Sequence, residues 1–367
     1  MTRRIVQQNW LALCVLATYA GFMAPACHVG ELVASKDPDP PGDDTRPPDS
    51  ADQDPDVVAT HLAFSSQPED VTAGDVMPTV RIEARDDDGE PVTDFTGTVR
   101  VSIASGPDGA SLGGKVERAA ADGVVEFEGL VIQRAWADYA LSVAANELKD
   151  AVSESFAVEP AGAGAIEVVS GDDQVDSVAG TLPERYVVHI TDAFDNAVPG
   201  VAVTWDVVRG EGSIAADQTR TDDDGRVSAR YTLGTIAGDQ IVVAAVVGRS
   251  EVVATFVSRA TPGQPVAFVV TEQPSNTASG DVITPPVVAR VVDQFGNTAT
   301  QVEQPVAIGL APFTGTPLAR LSGTLSRTPV SGFVVFDDLS INLPGVGYRL
   351  RLRMESLSRD SNAFNVF

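Results

Sequence analysis

The chain repeats itself at intervals of about a hundred residues, and this constrains its fold more than any other feature. Leu62-Ala-Phe-Ser-Ser-Gln-Pro68 returns as Ala267-Phe-Val-Val-Thr-Glu-Gln-Pro274. Thr72-Ala-Gly-Asp-Val76 returns as Ala278-Ser-Gly-Asp-Val282. Gly123-Val-Val-Glu-Phe-Glu-Gly-Leu-Val-Ile132 returns as Gly332-Phe-Val-Val-Phe-Asp-Asp-Leu-Ser-Ile341. A third, diverged copy fills the space between. A unit of that length exceeds a solenoid repeat, which needs its neighbours to bury a core. It is the size of a domain that buries a core of its own. The expected organisation is a module at 59–160, a second at 161–260 and a third at 261–367.

Inside each module the hydrophobic period is two. Val80-Arg-Ile-Glu-Ala-Arg85, Val99-Arg-Val-Ser-Ile103 and Tyr348-Arg-Leu-Arg-Leu-Arg-Met354 all alternate. Alternation sends one face of a strand to a core and the other to water. Turn signals such as Asp88-Gly89, Asp122-Gly123, Asp224-Gly225 and Gly296-Asn297 separate the strands. Several short strands per hundred residues predict an all-β chain of three tandem immunoglobulin-like β-sandwich domains. Tyr139-Ala-Leu141 and Tyr348-Arg-Leu350 resemble the tyrosine corner of such folds, whereas Gln240 stands at that place in the middle module. Trp205 is expected in the middle core.

The two cysteines are Cys14 and Cys27, so no module has a disulfide and each must hold by its apolar core. Thr2-Arg-Arg4 followed by the apolar run Trp10–Phe22 reads as a signal peptide ending at residue 27. Ala24-Pro-Ala-Cys27 resembles a bacterial lipobox with Cys27 as the lipidated residue; an Ala-x-Ala cleavage site is the other reading. Lipidation of Cys27 would make the membrane a partner. Residues 28–58 read as a linker. Its core from Asp37 to Asp56 is nearly all Asp and Pro, a composition that buries no apolar surface and stays disordered and extended.

Net charge is −26, which argues against a nucleic-acid partner, since phosphate binding needs clustered cations. The modules are unequal, at −12, −8 and −1 in chain order.

No catalytic constellation is expected. The three histidines, His28, His61 and His189, are scattered, and no nucleophile elbow, zinc motif or phosphate loop occurs. Acidic turns at Asp86–Asp88, Asp192 with Asp195, and Asp222–Asp224 offer oxygen ligands for Ca²⁺, or serve only as turn residues. No metal or other cofactor is expected. Two features are candidate binding residues. Arg349, Arg351 and Arg353 alternate with Leu350, Leu352 and Met354 and form a basic stripe on the last module, for an anionic glycan or an acidic module of a neighbouring molecule; blunting a sheet edge or balancing local acids is the alternative. Trp136 either packs in the first module's core or sits on a loop and contacts a partner.

The middle module reads Ile190-Thr-Asp-Ala-Phe-Asp-Asn-Ala-Val-Pro-Gly-Val-Ala-Val-Thr-Trp205, then Thr221-Asp-Asp-Asp-Gly225 and Tyr231-Thr-Leu-Gly-Thr-Ile-Ala-Gly238. It resembles the bacterial immunoglobulin-like domain of the invasin and intimin type (Big-1). The flanking modules, with Gln273-Pro-Ser-Asn-Thr-Ala-Ser-Gly-Asp281 and Val292-Asp-Gln-Phe-Gly-Asn297, look like its relatives. The resemblance implies a non-enzymatic surface or secreted array, a stalk or adhesin, binding a protein or glycan at the cell surface. Partner binding is expected at the C-terminal module. The alternative is a glycan- or Ca²⁺-binding accessory set serving a separate enzyme. The sequence departs from invasins and intimins in showing no outer-membrane β-barrel region and no lectin-like tip.

Overall fold

The structure is a computed structural model that describes residues 58–367. The signal segment, Cys27 and nearly all of the linker lie outside the described residues. Among the described residues every regular element is a β-strand.

In the first module, His61–Ser66, Val80–Arg85 and Val124–Phe127 form one sheet. The facing sheet runs Val71–Thr72, Phe156–Glu159, Trp136–Ala145, Thr98–Ser105 and Glu117–Ala119. The middle module pairs Ala165–Ser170, Tyr186–Thr191, Arg226–Thr232 and Ser213–Ala216 against Val175–Ser177, Arg249–Thr261, Gly238–Val246 and Val203–Arg209. The third pairs Ala267–Glu272, Val287–Val292 and Phe333–Phe336 against a sheet built on Val306–Leu310, Leu350–Met354 and Leu357–Asp360.

The first strand of each module changes sheets in the same way. It runs antiparallel to the second strand, bulges at Phe64/Ser66, Val168/Ser170 and Val270/Glu272, and then runs parallel to the last strand. A side chain closes each crossing: Asp70 Oδ1, Asp172 Oδ1 and Asn276 Oδ1 accept from the amides of Ala157, Val257 and Asn365. The bulge re-aims the strand, and the side chain satisfies an amide that the broken ladder would leave unpaired.

The alternation sorts as the sequence predicts. Val80, Ile82 and Ala84 are buried, and so are Leu350, Leu352 and Met354. The buried side chains form three separate clusters, drawn from residues 62–158, 163–260 and 268–366. Each fully buried Val, Leu, Ile or Phe contributes about 1.5–3 kcal/mol, so cores of this size hold without disulfides. Trp205 packs against the edge of the middle core, its ring 5.8 Å from that of Phe256.

Two tyrosine corners are present. Tyr139 Oη donates to Arg134 O and Tyr348 Oη to Leu343 O, both at 2.9 Å. In the middle module Gln240, 1% exposed, takes over the task. Its Nε2 donates to Ile236 O, and its Oε1 accepts from Tyr231 Oη at 2.8 Å and from Gly234 N at 2.9 Å. A glycine faces each corner residue. A Cβ on Gly106, Gly210 or Gly315 would collide with Tyr139, Gln240 or Tyr348, at 2.6, 2.4 and 2.1 Å.

Candidate functional site: the acidic turns and the module junctions

Among the described residues four turns share one construction. An aspartate Oδ1 accepts from the backbone amides two and four residues on. Asp86 serves Asp88 and Glu90, Asp192 serves Phe194 and Asn196, Asp222 serves Asp224 and Arg226, and Asp293 serves Phe295 and Asn297. This is the local bonding that favours Asp in turns. Among the described residues no group of three or more His, Cys, Asp or Glu is placed to hold a metal ion.

Asp192 and Asp293 go further than the other two. Asp192 Oδ2 accepts from Ala161 N, in the segment joining the first module to the second, at 2.9 Å. It also accepts from Asn196 Nδ2 at 2.9 Å. That orients the Asn196 amide toward the first module. There Nδ2 donates to Gln133 O at 2.7 Å and Oδ1 accepts from Ala135 N at 2.9 Å. The second junction repeats each bond. Asp293 Oδ2 accepts from Gly263 N and Asn297 Nδ2, while the Asn297 amide meets Thr235 O at 2.8 Å and Ala237 N at 2.9 Å. A primary amide matches a peptide group donor for acceptor, so each asparagine pairs with the preceding module as an added strand would.

Both aspartates are 2% exposed. Burial opposes their ionisation, but the bonds from asparagine side chain and backbone amides outweigh it and hold both carboxyls below the usual carboxylate range. Since the folded pKa lies below the unfolded one, the stabilisation is complete above the ordinary carboxylate pKa of about 4 and is lost as pH falls through the folded value. The urea midpoint of residues 58–367 is therefore expected to hold from pH 6 to about pH 4 and to fall below that. The gap between wild type and Asp192→Asn should narrow only below about pH 4, and a gap of constant size there would contradict the assignment.

The two junctions differ in one contact. Phe194 packs against the first module's core, over Gly74, where a Cβ would come within 2.3 Å of the ring. The equivalent place in the middle module is Ala179; both residues donate their amide to the corner region, Gly74 to Ile132 O and Ala179 to Gly234 O. With a methyl in the seat, Phe295 stays 41% exposed.

Trp136 is not on a loop: it opens the strand Trp136–Ala145, opposite Val158, because the strand begins directly after the corner. It is 49% exposed and lines an open groove of about 1150 Å³ beside the first junction, with Glu159, Phe194, Asp223 and Asp224. Arg351 and Arg353 lie on the outer face of the strand Leu350–Met354, and Arg349, exposed, directly precedes it. Arg351 is held by Asp360, Nε to Oδ1 at 2.5 Å and Nη2 to Oδ2 at 2.8 Å, which lowers the Asp360 pKa. Arg349 Nη1 donates to Ser361 O, and Arg353 makes no side-chain hydrogen bond among the described residues. The junctions were the feature that the sequence reading passed over. The signal was present in Asp192-Ala-Phe-Asp-Asn196 and Asp293-Gln-Phe-Gly-Asn297: asparagine at the fifth place, where the solvent-facing turns carry Glu90 or Arg226.

Residues 175–257 match the family model of the bacterial Ig-like domain (group 1). No curated protein matches the chain. Among solved structures, the Escherichia coli adhesin FdeC is 15% identical, with a TM-score of 0.44 over 84% of this chain and 98% of that one. InvD of Yersinia pseudotuberculosis is 16% identical, with a TM-score of 0.42 over 83% and 96%. Invasin, described as a bacterial integrin-binding protein, is 15% identical, with a TM-score of 0.37 over 82% of this chain and 59% of its own. The match to the bacterial Ig-like domain (group 1) thus lies within the middle module of this chain.

Proposed function

We propose that the chain is an exported, non-enzymatic array of Ig-like modules, 59–160, 161–260 and 261–367, acting at the bacterial surface as a stalk or adhesin. The observation that carries this reading is the junction built twice from an Asp–Asn pair whose aspartate is buried. Hydrogen bonds of that kind fix one module against the next, a property that serves presentation and load rather than turnover. The group 1 Ig-like match supports the same reading. Residues 1–27 direct export, Cys27 carries the lipid, and residues 28–58 hold the modules clear of the membrane. The partner is a surface protein or glycan, met by the C-terminal module, which at −1 repels an acidic surface least.

Protease shaving of intact bacteria that make the protein tests the reading. The modules should be cut from living cells, and a strain lacking the gene should adhere less to its target surface. Protection of the modules until lysis would end the surface assignment. Labelling with an alkyne palmitate analogue, lost on Cys27→Ala, tests the anchor.

A further inference from the structure

The third module ends in two loops, 311–320 and 342–349, at the end that in the first module meets its successor. They are tied together. Ala311 N donates to Arg349 O at 2.8 Å, Thr316 Oγ1 to Pro344 O at 2.5 Å, and Arg320 N to Asn342 Oδ1 at 2.7 Å. Gly315 lies against the Tyr348 ring and Gly345 against Thr316. On this tied surface Phe313 is 108% exposed, Leu318 91% and Val346 77%.

Two of these side chains are held out at a backbone cost. Phe313 has φ of 61° and Leu318 of 69°, the left-handed region that side-chain-bearing residues avoid. The first module shows what the turn itself requires. Ala110 N donates to Pro107 O there as Ala319 N does to Thr316 O here, and the third residue of that turn is Gly109, with φ of 79°. Leucine replaces the glycine that the conformation favours, and it gains no burial in return. Neither local geometry nor packing accounts for it.

Charge sets this end apart as well. In a chain of −26, no Asp or Glu occurs between Glu303 and Asp337, or between Asp338 and Glu355. Both loops fall inside those intervals, and each carries an exposed arginine, Arg320 and Arg349.

We propose that this end of the third module inserts Phe313 and Leu318 into an anionic lipid surface, with Arg320 and Arg349 on the headgroups. The side chains stand proud of the surface rather than lining a recess. A fluid interface accepts any protruding shape, whereas a folded protein would need a matched pocket for each. Apolar tips with one arginine on each of the same two loops, and no acid on either, complement the negative potential of an anionic bilayer. The proposal adds a lipid contact to the protein or glycan partner of the C-terminal module and so rests on the surface-array reading.

The test is vesicle co-sedimentation of the purified chain from Asp56 onward, the compact unit that holds all three cores. Phosphatidylglycerol-containing vesicles are compared with pure phosphatidylcholine vesicles. Binding is expected to the first, weakening with salt. Phe313→Ser and Leu318→Gly should each lower the partition coefficient by roughly tenfold, as loss of one interfacial apolar side chain implies. Arg320→Glu with Arg349→Glu should remove the preference for anionic lipid. Leu318→Gly separates the proposal from misfolding, since relief of the left-handed leucine should raise the melting temperature while binding falls. Wild type that stays in the supernatant with both vesicles, or a Leu318→Gly chain that still binds fully, overturns the proposal. So does a concentration-dependent dimer abolished by Leu318→Gly, which would assign the patch to a second copy. Failure here removes the lipid partner only; protease shaving judges the surface array independently.

Discussion

Asp192→Ala is expected to destabilise the middle module by about 3–5 kcal/mol in urea unfolding of the chain from Asp56, and to open the first junction with it. The carboxylate accepts from four donors: Phe194 N, Asn196 N, Asn196 Nδ2 and Ala161 N. Alanine leaves the amides of Phe194, Asn196 and Ala161 without a partner at a site that is 2% exposed, and Asn196 Nδ2 with Gln133 O alone; each stranded donor costs about 1–3 kcal/mol unless water reaches it. Hydrogen exchange reads the junction directly. The amide of Ala161 is bonded to Asp192 and that of Ala135 to Asn196, so both should lose protection in Asp192→Ala. Asn196→Ala, by contrast, should release Ala135 while leaving the middle core at near wild-type stability. Protection of Ala135 that survives both substitutions would show that apolar contact, such as Phe194 over Gly74, holds the modules by itself.

Gln240→Leu is expected to cost the middle module a comparable 3–5 kcal/mol, although leucine nearly matches glutamine in volume and suits a core. Gln240 bonds Tyr231 Oη, Gly234 N and Ile236 O from a fully enclosed position. The apolar replacement strands a buried phenol and a buried amide. The unfolding should be confined to the middle module, because the flanking corners use Tyr139 and Tyr348. A urea midpoint for that module within error of wild type would mean that Gln240 fills space and does not carry the corner.

The strands, the cores and the corners were legible because they follow from local pattern. The alternation in Val80–Arg85 or Leu350–Met354 fixes which side chains enter a core, and the strand period allows no other sorting. Tyr139 and Tyr348 could be placed from their spacing alone. Gln240 could not: its fitness for the task depends on Tyr231, nine residues earlier, and on Gly210 giving it room. Arg351 was legible as outward-facing, while its pairing with Asp360 depended on the register of two strands.

By itself the sequence determined an all-β chain, repeated in units that each bury a core, because period and turn chemistry act over a few residues and survive in any context. Only the tertiary structure decided what the turns are for. Asp86 and Asp192 make the same local bonds, yet one caps a turn facing water and the other also fastens two modules. That difference lies in which backbone arrives next to the second carboxylate oxygen. The arrival of Ala161 and Gln133 there is set by packing across more than thirty residues of chain, which no local pattern encodes.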